Sequence, residues 1–125
     1  MPEPVHVVLD TTGLAAIGGN LLTSRLIHRA HTDPGWHLYT TTCALVEADR
    51  ARPGTAVHIA QLPGVTVLNL DLPAALVVAD ASTWGPAHTL YAAQPTPDRP
   101  SGAYVATTTP QEWEGKPVRV IDLNP

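Results

Sequence analysis

Short, nearly continuous apolar runs alternate along this chain with segments of helical periodicity. The first run, Val5–Leu9, is mostly β-branched, which is typical of a central strand covered on both faces. Further strands are predicted at residues 36–39, 65–70, 103–107 and 118–123. The segments between them predict helices that end near residues 30, 52, 62, 81 and 94, and a short turn or helix at 110–115. This alternation predicts a single α/β domain over residues 1–125, a three-layer α/β/α sandwich with a mostly parallel central sheet.

Polar residues and prolines mark where the predicted helices begin and end. Asn20 and Thr55 are each expected to cap a helix, the threonines at 40–42 offer further N-caps, and Asp71 is expected to precede a helix. Pro73 suits the first turn of the helix after Asp71, because that position needs no backbone N–H donor. Residues 10–13 are predicted to be a polar turn after the first strand.

Composition narrows the range of functions. The chain has 125 residues, a formal net charge of −4 and only seven scattered Lys and Arg residues. A protein that grips nucleic acid by electrostatics alone usually has a basic excess, so a bound cation or a basic partner would have to supply positive charge here. No apolar run reaches the roughly 20 residues of a membrane helix. The lone Cys43 and the absence of a signal-like N-terminus predict a cytoplasmic protein without membrane contact.

Two carboxylates stand where a parallel sheet usually binds ligands, beyond the carboxyl ends of its strands. Asp10 ends the first strand, and Glu47 lies near the start of the helix after the second strand. Together they are candidate ligands for Mg²⁺ or Mn²⁺, which prefer oxygen donors. The alternative is that Asp10 caps the following turn and Glu47 is a solvated helix acid.

Motifs for several other chemistries are missing from the sequence. It contains no glycine fingerprint for dinucleotides, no phosphate-binding loop and no nucleophile elbow. Cys43 is interpreted as a small buried apolar residue rather than a nucleophile. The six histidines show no zinc spacing; His28 and His31 lie three apart but lack a partner pair.

Short motifs follow one another in an order that is known from one nuclease family. The segments are VVLDTTGL (7–14), TCALVEADR (42–50), LPGVTVL (62–68), PAHTLYAA (86–93), YVATTTP (104–110) and VRVI (118–121). In this order they resemble the PIN domains, which include the toxin ribonucleases of toxin–antitoxin modules. The resemblance spans almost the whole chain, and the order of the motifs gives it more weight than any one of them.

The resemblance implies a metal-dependent endoribonuclease that cleaves single-stranded RNA with Mg²⁺ or Mn²⁺ held by three or four acids. Asp10 and Glu47 match the first two acids, and Thr12 matches a hydroxyl residue that supports them. The third acid is replaced by His88 and the fourth by Thr109. Nearby Glu112 is a candidate substitute, as is the more distant residue Asp80. The acidic cluster is therefore expected to be incomplete and any metal to bind weakly.

His88 has three interpretations. A protonated His88 could lie between Asp10 and Glu47 and neutralise them, with a pKa above the ordinary value of about 6.5. A neutral His88 could instead ligate Mn²⁺ or Zn²⁺ together with the two acids. In the third interpretation it packs at a helix start and bonds to backbone. The ion pair is the first prediction and the metal ligand the second.

Two functions remain open from the sequence. The first is a nuclease with a reduced acid cluster, paired with an antitoxin or another protein partner. The second is a catalytically inactive domain of the same fold, a pseudo-enzyme kept for binding or dimerisation. Aromatic residues that could form an interaction surface, or equally pack in the core, are Trp36, Tyr39, Trp84 and Trp113. A homodimer is one expected assembly.

Overall fold

The computed structural model describes residues 3–125 and contains one sheet of five parallel strands. The strands are β1 (Val5–Leu9), β2 (Trp36–Thr41), β3 (Val65–Leu68), β4 (Tyr104–Thr107) and β5 (Arg119–Asp122). Their order in the sheet is β3-β2-β1-β4-β5, with β1 at the centre. The prediction of an α/β fold is confirmed, and the sheet is entirely rather than mostly parallel.

Six α-helices and one 3-10 turn connect the strands. The helices are α1 (Thr11–Ala15), α2 (Leu21–Thr32), α3 (Thr42–Ala51), α4 (Thr55–Ala60), α5 (Leu72–Ala79) and α6 (Trp84–Ala93); the 3-10 turn is Pro110–Trp113. The side chains of Asn20 and Asp71 cap α2 and α5, where the sequence predicts a cap at Asn20 and a helix after Asp71.

The sheet separates two apolar cores. On one face, Val7 and Leu9 of β1 pack with residues of α1, α2, α3 and α4. On the other face, Val8 packs with Val105 of β4 and with alanines of α6. Helix α5 packs against α6, and α3 contacts both α1 and α6. Because both faces of β1 are covered, its uninterrupted apolar sequence is what a central parallel strand requires.

Three local predictions are wrong in detail. Residues 10–13 do not form a plain turn, because a short helix begins at Thr11 with Asp10 as its N-cap. Thr55 does not cap α4; Gly54 occupies the cap position with a positive φ of 96°, and the Thr55 hydroxyl donates to the Arg52 carbonyl. Strand β3 ends at Leu68, two residues earlier than predicted.

None of the helices within residues 3–125 is both long enough and apolar enough to cross a lipid bilayer.

Candidate functional site at the carboxyl edge of the sheet

Asp10 follows β1 directly, at the point where the strand order reverses between β1 and β4. Ligands of open α/β sheets commonly bind at such a point. Its side chain caps α1 by accepting a hydrogen bond from the Gly13 amide at 2.8 Å. A Cβ atom at Gly13 would lie only 2.8 Å from the Ala106 carbonyl oxygen, so α1 can approach β4 only through a glycine. This close packing leaves Asp10 only 4% exposed.

Protein donors occupy both carboxylate oxygens of Asp10. In addition to the Gly13 amide, Oδ1 accepts from the Thr12 hydroxyl at 2.7 Å. Oδ2 accepts from the indole Nε1 of Trp113 at 3.0 Å, and Trp113 is itself buried on the 3-10 turn. A charged group that is removed from water is costly unless it is hydrogen-bonded, and these three donors meet that need.

A chain of hydroxyl groups runs outward from Asp10. The Thr12 Oγ1 lies 3.0 Å from Thr107 Oγ1, which lies 3.2 Å from Thr109 Oγ1. The Thr109 hydroxyl in turn donates to Glu112 Oε2 at 3.2 Å. Each hydroxyl has one hydrogen. Thr12 uses its own on Asp10, so Thr107 must donate to Thr12, and Thr109 uses its own on Glu112. No hydroxyl hydrogen is left for the contact between Thr107 and Thr109, and Thr107 Oγ1 accepts instead from the Thr109 amide at 3.0 Å. The hydroxyl groups therefore line the path from Asp10 to Glu112 without forming one continuous chain of hydrogen bonds.

Glu47 is held at the start of another helix. Its oxygens accept from the Gly85 amide at 3.2 and 3.0 Å, and the first amides of a helix have no partner within the helix. A Cβ atom at Gly85 would collide with the Glu47 carboxylate, so a larger residue there would displace this carboxylate from the Gly85 amide. Burial, with a further contribution from the Glu47 charge, raises the pKa of the Cys43 thiol. Cys43 is therefore kept as a neutral buried thiol, which does not suit a nucleophile.

His88 is buried one turn further along α6. It is 1% exposed, and its Nδ1 has no hydrogen-bond partner among residues 3–125. Burial lowers the pKa of His88, opposed in part by the Asn69 backbone and the Asp71 charge. Asn69 and Asp71 both lie in the segment between β3 and α5, so the imidazole faces that segment.

The prediction of an imidazolium between Asp10 and Glu47 is wrong. No ion pair joins His88 to either acid within residues 3–125. The physical reason is that each carboxylate already has uncharged donors, from Thr12, Gly13 and Trp113 or from Gly85, and that burial disfavours the charged imidazole.

The carboxyl edge also does not assemble a cluster of metal ligands. Among residues 3–125, no group of three or more His, Cys, Asp and Glu side chains could hold a metal ion. Glu112 reaches the site only through Thr109. Asp80 lies at the far end of α5, at its C-cap. The arrangement therefore fits a hydrogen-bonded carboxylate centre better than a metal centre.

The sequence does not predict several residues of this centre. It predicts Trp113 only as a surface or core aromatic residue, although a buried indole N–H usually needs an acceptor. Thr107 and Gly85 carried no distinctive signal, because single threonines and glycines are common. The order of the chain could not show that the 3-10 turn folds back over β1.

Comparisons with protein families and with curated proteins identify no relative of this chain. No protein-family model matches this sequence, and no curated protein matches it. The resemblance to PIN domains therefore rests on motif order alone and stays a prediction.

Replacing Trp113 tests the donor to Asp10. We expect Trp113→Phe to lower the free energy of unfolding by about 2–4 kcal/mol, because it leaves a buried oxygen without a donor and creates a small cavity. Urea denaturation measures the change, and Val57→Ala at an exposed apolar residue of α4 is the control. In an Asp10→Ala background the same substitution should cost less. Equal costs in both backgrounds would show that the two side chains are not energetically coupled.

The buried imidazole predicts how stability depends on pH. A lowered pKa means that the unfolded chain binds the proton more readily, so the contribution of His88 is present above about pH 6.5 and is lost as pH falls below it. His88→Leu should therefore flatten the decline in unfolding free energy between pH 7 and pH 5. His58→Leu, on an exposed histidine of α4, is the control. A decline as steep in His88→Leu as in the parent protein would contradict this.

Proposed function

We propose that this chain is a catalytically inactive PIN-like domain that serves as a self-association module in the cytoplasm. The observation that carries the proposal is that protein donors form hydrogen bonds with both carboxylate oxygens of the buried Asp10. In the resembling nucleases, the matching acid has to face a metal ion. Here the Trp113 indole lies against Oδ2, the oxygen that Thr12 and Gly13 leave free.

Binding of Mg²⁺ at this position would require costly rearrangements. The indole would have to withdraw from Oδ2, which would leave its own N–H buried without an acceptor. Glu47 would have to give up the Gly85 amide. Two carboxylates also supply little charge to compensate an ion that dehydrates reluctantly. Any Mg²⁺ or Mn²⁺ is therefore expected to bind weakly, and cleavage of single-stranded RNA is the less favoured function.

An exposed apolar groove supports the binding function. This groove, here called the Trp84 groove, measures about 530 Å³ and is lined by Val46 of α3, Leu70 and Trp84. Trp84 is 64% exposed, which is unusual for so large an apolar side chain. The chain continues from Leu70 into α5, where Leu72 and Leu76 are also exposed, one turn apart. Of the four candidate aromatic residues, Trp113 is buried, whereas Trp84 is free to meet a partner.

Charges around the groove favour a second copy of this chain as the partner. Arg50 lines the groove and has no ion-pair partner among residues 3–125. Asp71 is exposed at the start of α5, next to Leu70 and Leu72. A two-fold interface presents the same surface twice, so Arg50 of one copy could pair with Asp71 of the other around a shared apolar centre.

Sedimentation equilibrium with the full chain tests self-association. We expect a concentration-dependent dimer, and we expect Trp84→Glu to weaken it at least tenfold, because a charge would be buried in the apolar centre. Leu21→Glu is the matched control, since Leu21 is equally exposed but lies on α2. A purely monomeric parent protein, or equal weakening by both variants, would refute the proposed interface. An antitoxin-like partner would then become the occupant to test.

A cleavage assay tests the catalytic part separately. We expect no turnover of single-stranded RNA with Mg²⁺ or Mn²⁺, and no saturable metal binding by calorimetry. Asp10→Asn removes the charge while keeping a similar shape, and it should behave like the parent protein in both assays. Cleavage by the parent that is abolished in Asp10→Asn would establish the nuclease function instead. Neither result depends on the oligomeric state.

A further inference from the structure

A second cluster of polar side chains lies at the opposite, amino edge of the sheet. His6 of β1 and His37 of β2 are paired in register, and their rings stack with centroids 5.0 Å apart and planes 19° from parallel. The Tyr39 hydroxyl lies 2.9 Å from His6 Nδ1. This contact orients the His6 ring and leaves its Nε2 without a hydrogen-bond partner among residues 3–125.

Arg99 completes this cluster from the loop after α6. Its guanidinium lies over the Tyr39 ring, 5.1 Å from the centroid. The loop is held by hydrogen bonds from the Arg99 amide to the carbonyl and hydroxyl oxygens of Thr96. A positive φ of 71° at Gly102 closes the loop, and a Cβ atom there would collide with the Ala93 carbonyl. These contacts therefore fix the backbone of the loop at Arg99.

The cluster has donors in excess of acceptors. The Nε of Arg99 is buried and has no hydrogen-bond partner among residues 3–125. In that part of the chain, the sole ion pair joins Arg29 to Asp33, so neither Arg99 nor either stacked histidine has an acid within pairing distance. A buried guanidinium donor without an acceptor is uncommon and calls for a group that supplies one. An open cavity of about 340 Å³ lies beside His6.

We propose that His6, His37 and Arg99 form a binding site for a small oxyanion of the sulfate or phosphate type. Oxygens of such an anion can accept from the Arg99 guanidinium and from both imidazoles. Charge-assisted hydrogen bonds to a guanidinium are among the strongest that a protein makes. The site lies at the edge of the sheet opposite to Asp10, so it is independent of the proposed dimer and of the carboxylate centre.

Surrounding charges predict how this site depends on pH. In the free protein, burial, the neighbouring His37 and then Arg99 lower the pKa of His6. A bound anion would reverse the effect of the two cationic neighbours and favour protonated histidines. His37 and Arg99 do not line the cavity beside His6. The charged groups that do line it are the acids Glu3 and Asp98, which oppose anion binding, and Arg119, which donates to the Ser101 carbonyl. Anion binding is therefore expected to be coupled to proton uptake.

Sulfate is the sharpest probe, because its charge does not change between pH 5.5 and pH 8. Titration of the full chain, followed by the imidazole signals in nuclear magnetic resonance, should give saturable binding with a Kd at least about tenfold lower at pH 5.5. Binding should also raise the pKa of His6, which its cationic neighbours lower in the free protein. Chloride at matched ionic strength provides the blank, and phosphate and acetate show whether a tetrahedral anion is preferred to a carboxylate.

Variants separate this site from general charge attraction. Arg99→Gln and His37→Gln should each raise the sulfate Kd about tenfold or more, whereas Arg99→Lys should restore part of the affinity. Arg25→Gln and His58→Gln change exposed residues elsewhere and should leave the Kd unchanged. The proposal is overturned if sulfate acts no differently from chloride, if Kd is equal at both pH values, or if the control variants weaken binding as much as Arg99→Gln.

Discussion

The buried carboxylate of Asp10 is the constraint around which the carboxyl edge of this protein is arranged. An acid at the end of a central strand is removed from water by the elements on both faces of the sheet. Its charge then has to be compensated locally, by a cation or by hydrogen-bond donors. Here the donors come from α1 and from the 3-10 turn, and they also fasten these two elements to the sheet.

This arrangement bears on the two functions that the sequence left open. Several acids at one edge would repel one another and need a divalent ion. At the carboxyl edge, the buried Asp10 instead has hydrogen-bond donors from Thr12, Gly13 and Trp113. These donors compensate the carboxylate without a metal ion, which supports the proposal of a binding domain over that of a nuclease.

Topology determines which side chains collect at each edge of the sheet. In a parallel sheet all strands begin at one edge and end at the other, so residues at strand starts collect together and residues after strand ends collect together. His6, His37 and Arg119 lie at or near strand starts and therefore at the amino edge, where Glu3 and Asp98 line the cavity beside His6, while Asp10 and Asp122 fall at the other edge. The proposed anion site uses the basic side chains of the amino edge.

The sequence by itself determined the α/β class, the start of α2 at Asn20 and of α5 after Asp71, and the burial of β1, because these depend on local periodicity and on capping within a few residues. It also placed Asp10 at the end of β1 and identified Thr12, Thr109 and Glu112 as its neighbours along one edge. Only the tertiary structure decided what these residues do, because Trp113 and Asp10 are separated by 103 positions and meet through folding. The fate of His88 was decided in the same way. Its charge depends on burial and on the groups it faces, and helical periodicity left open whether those would be Asp10 and Glu47 or the segment between β3 and α5.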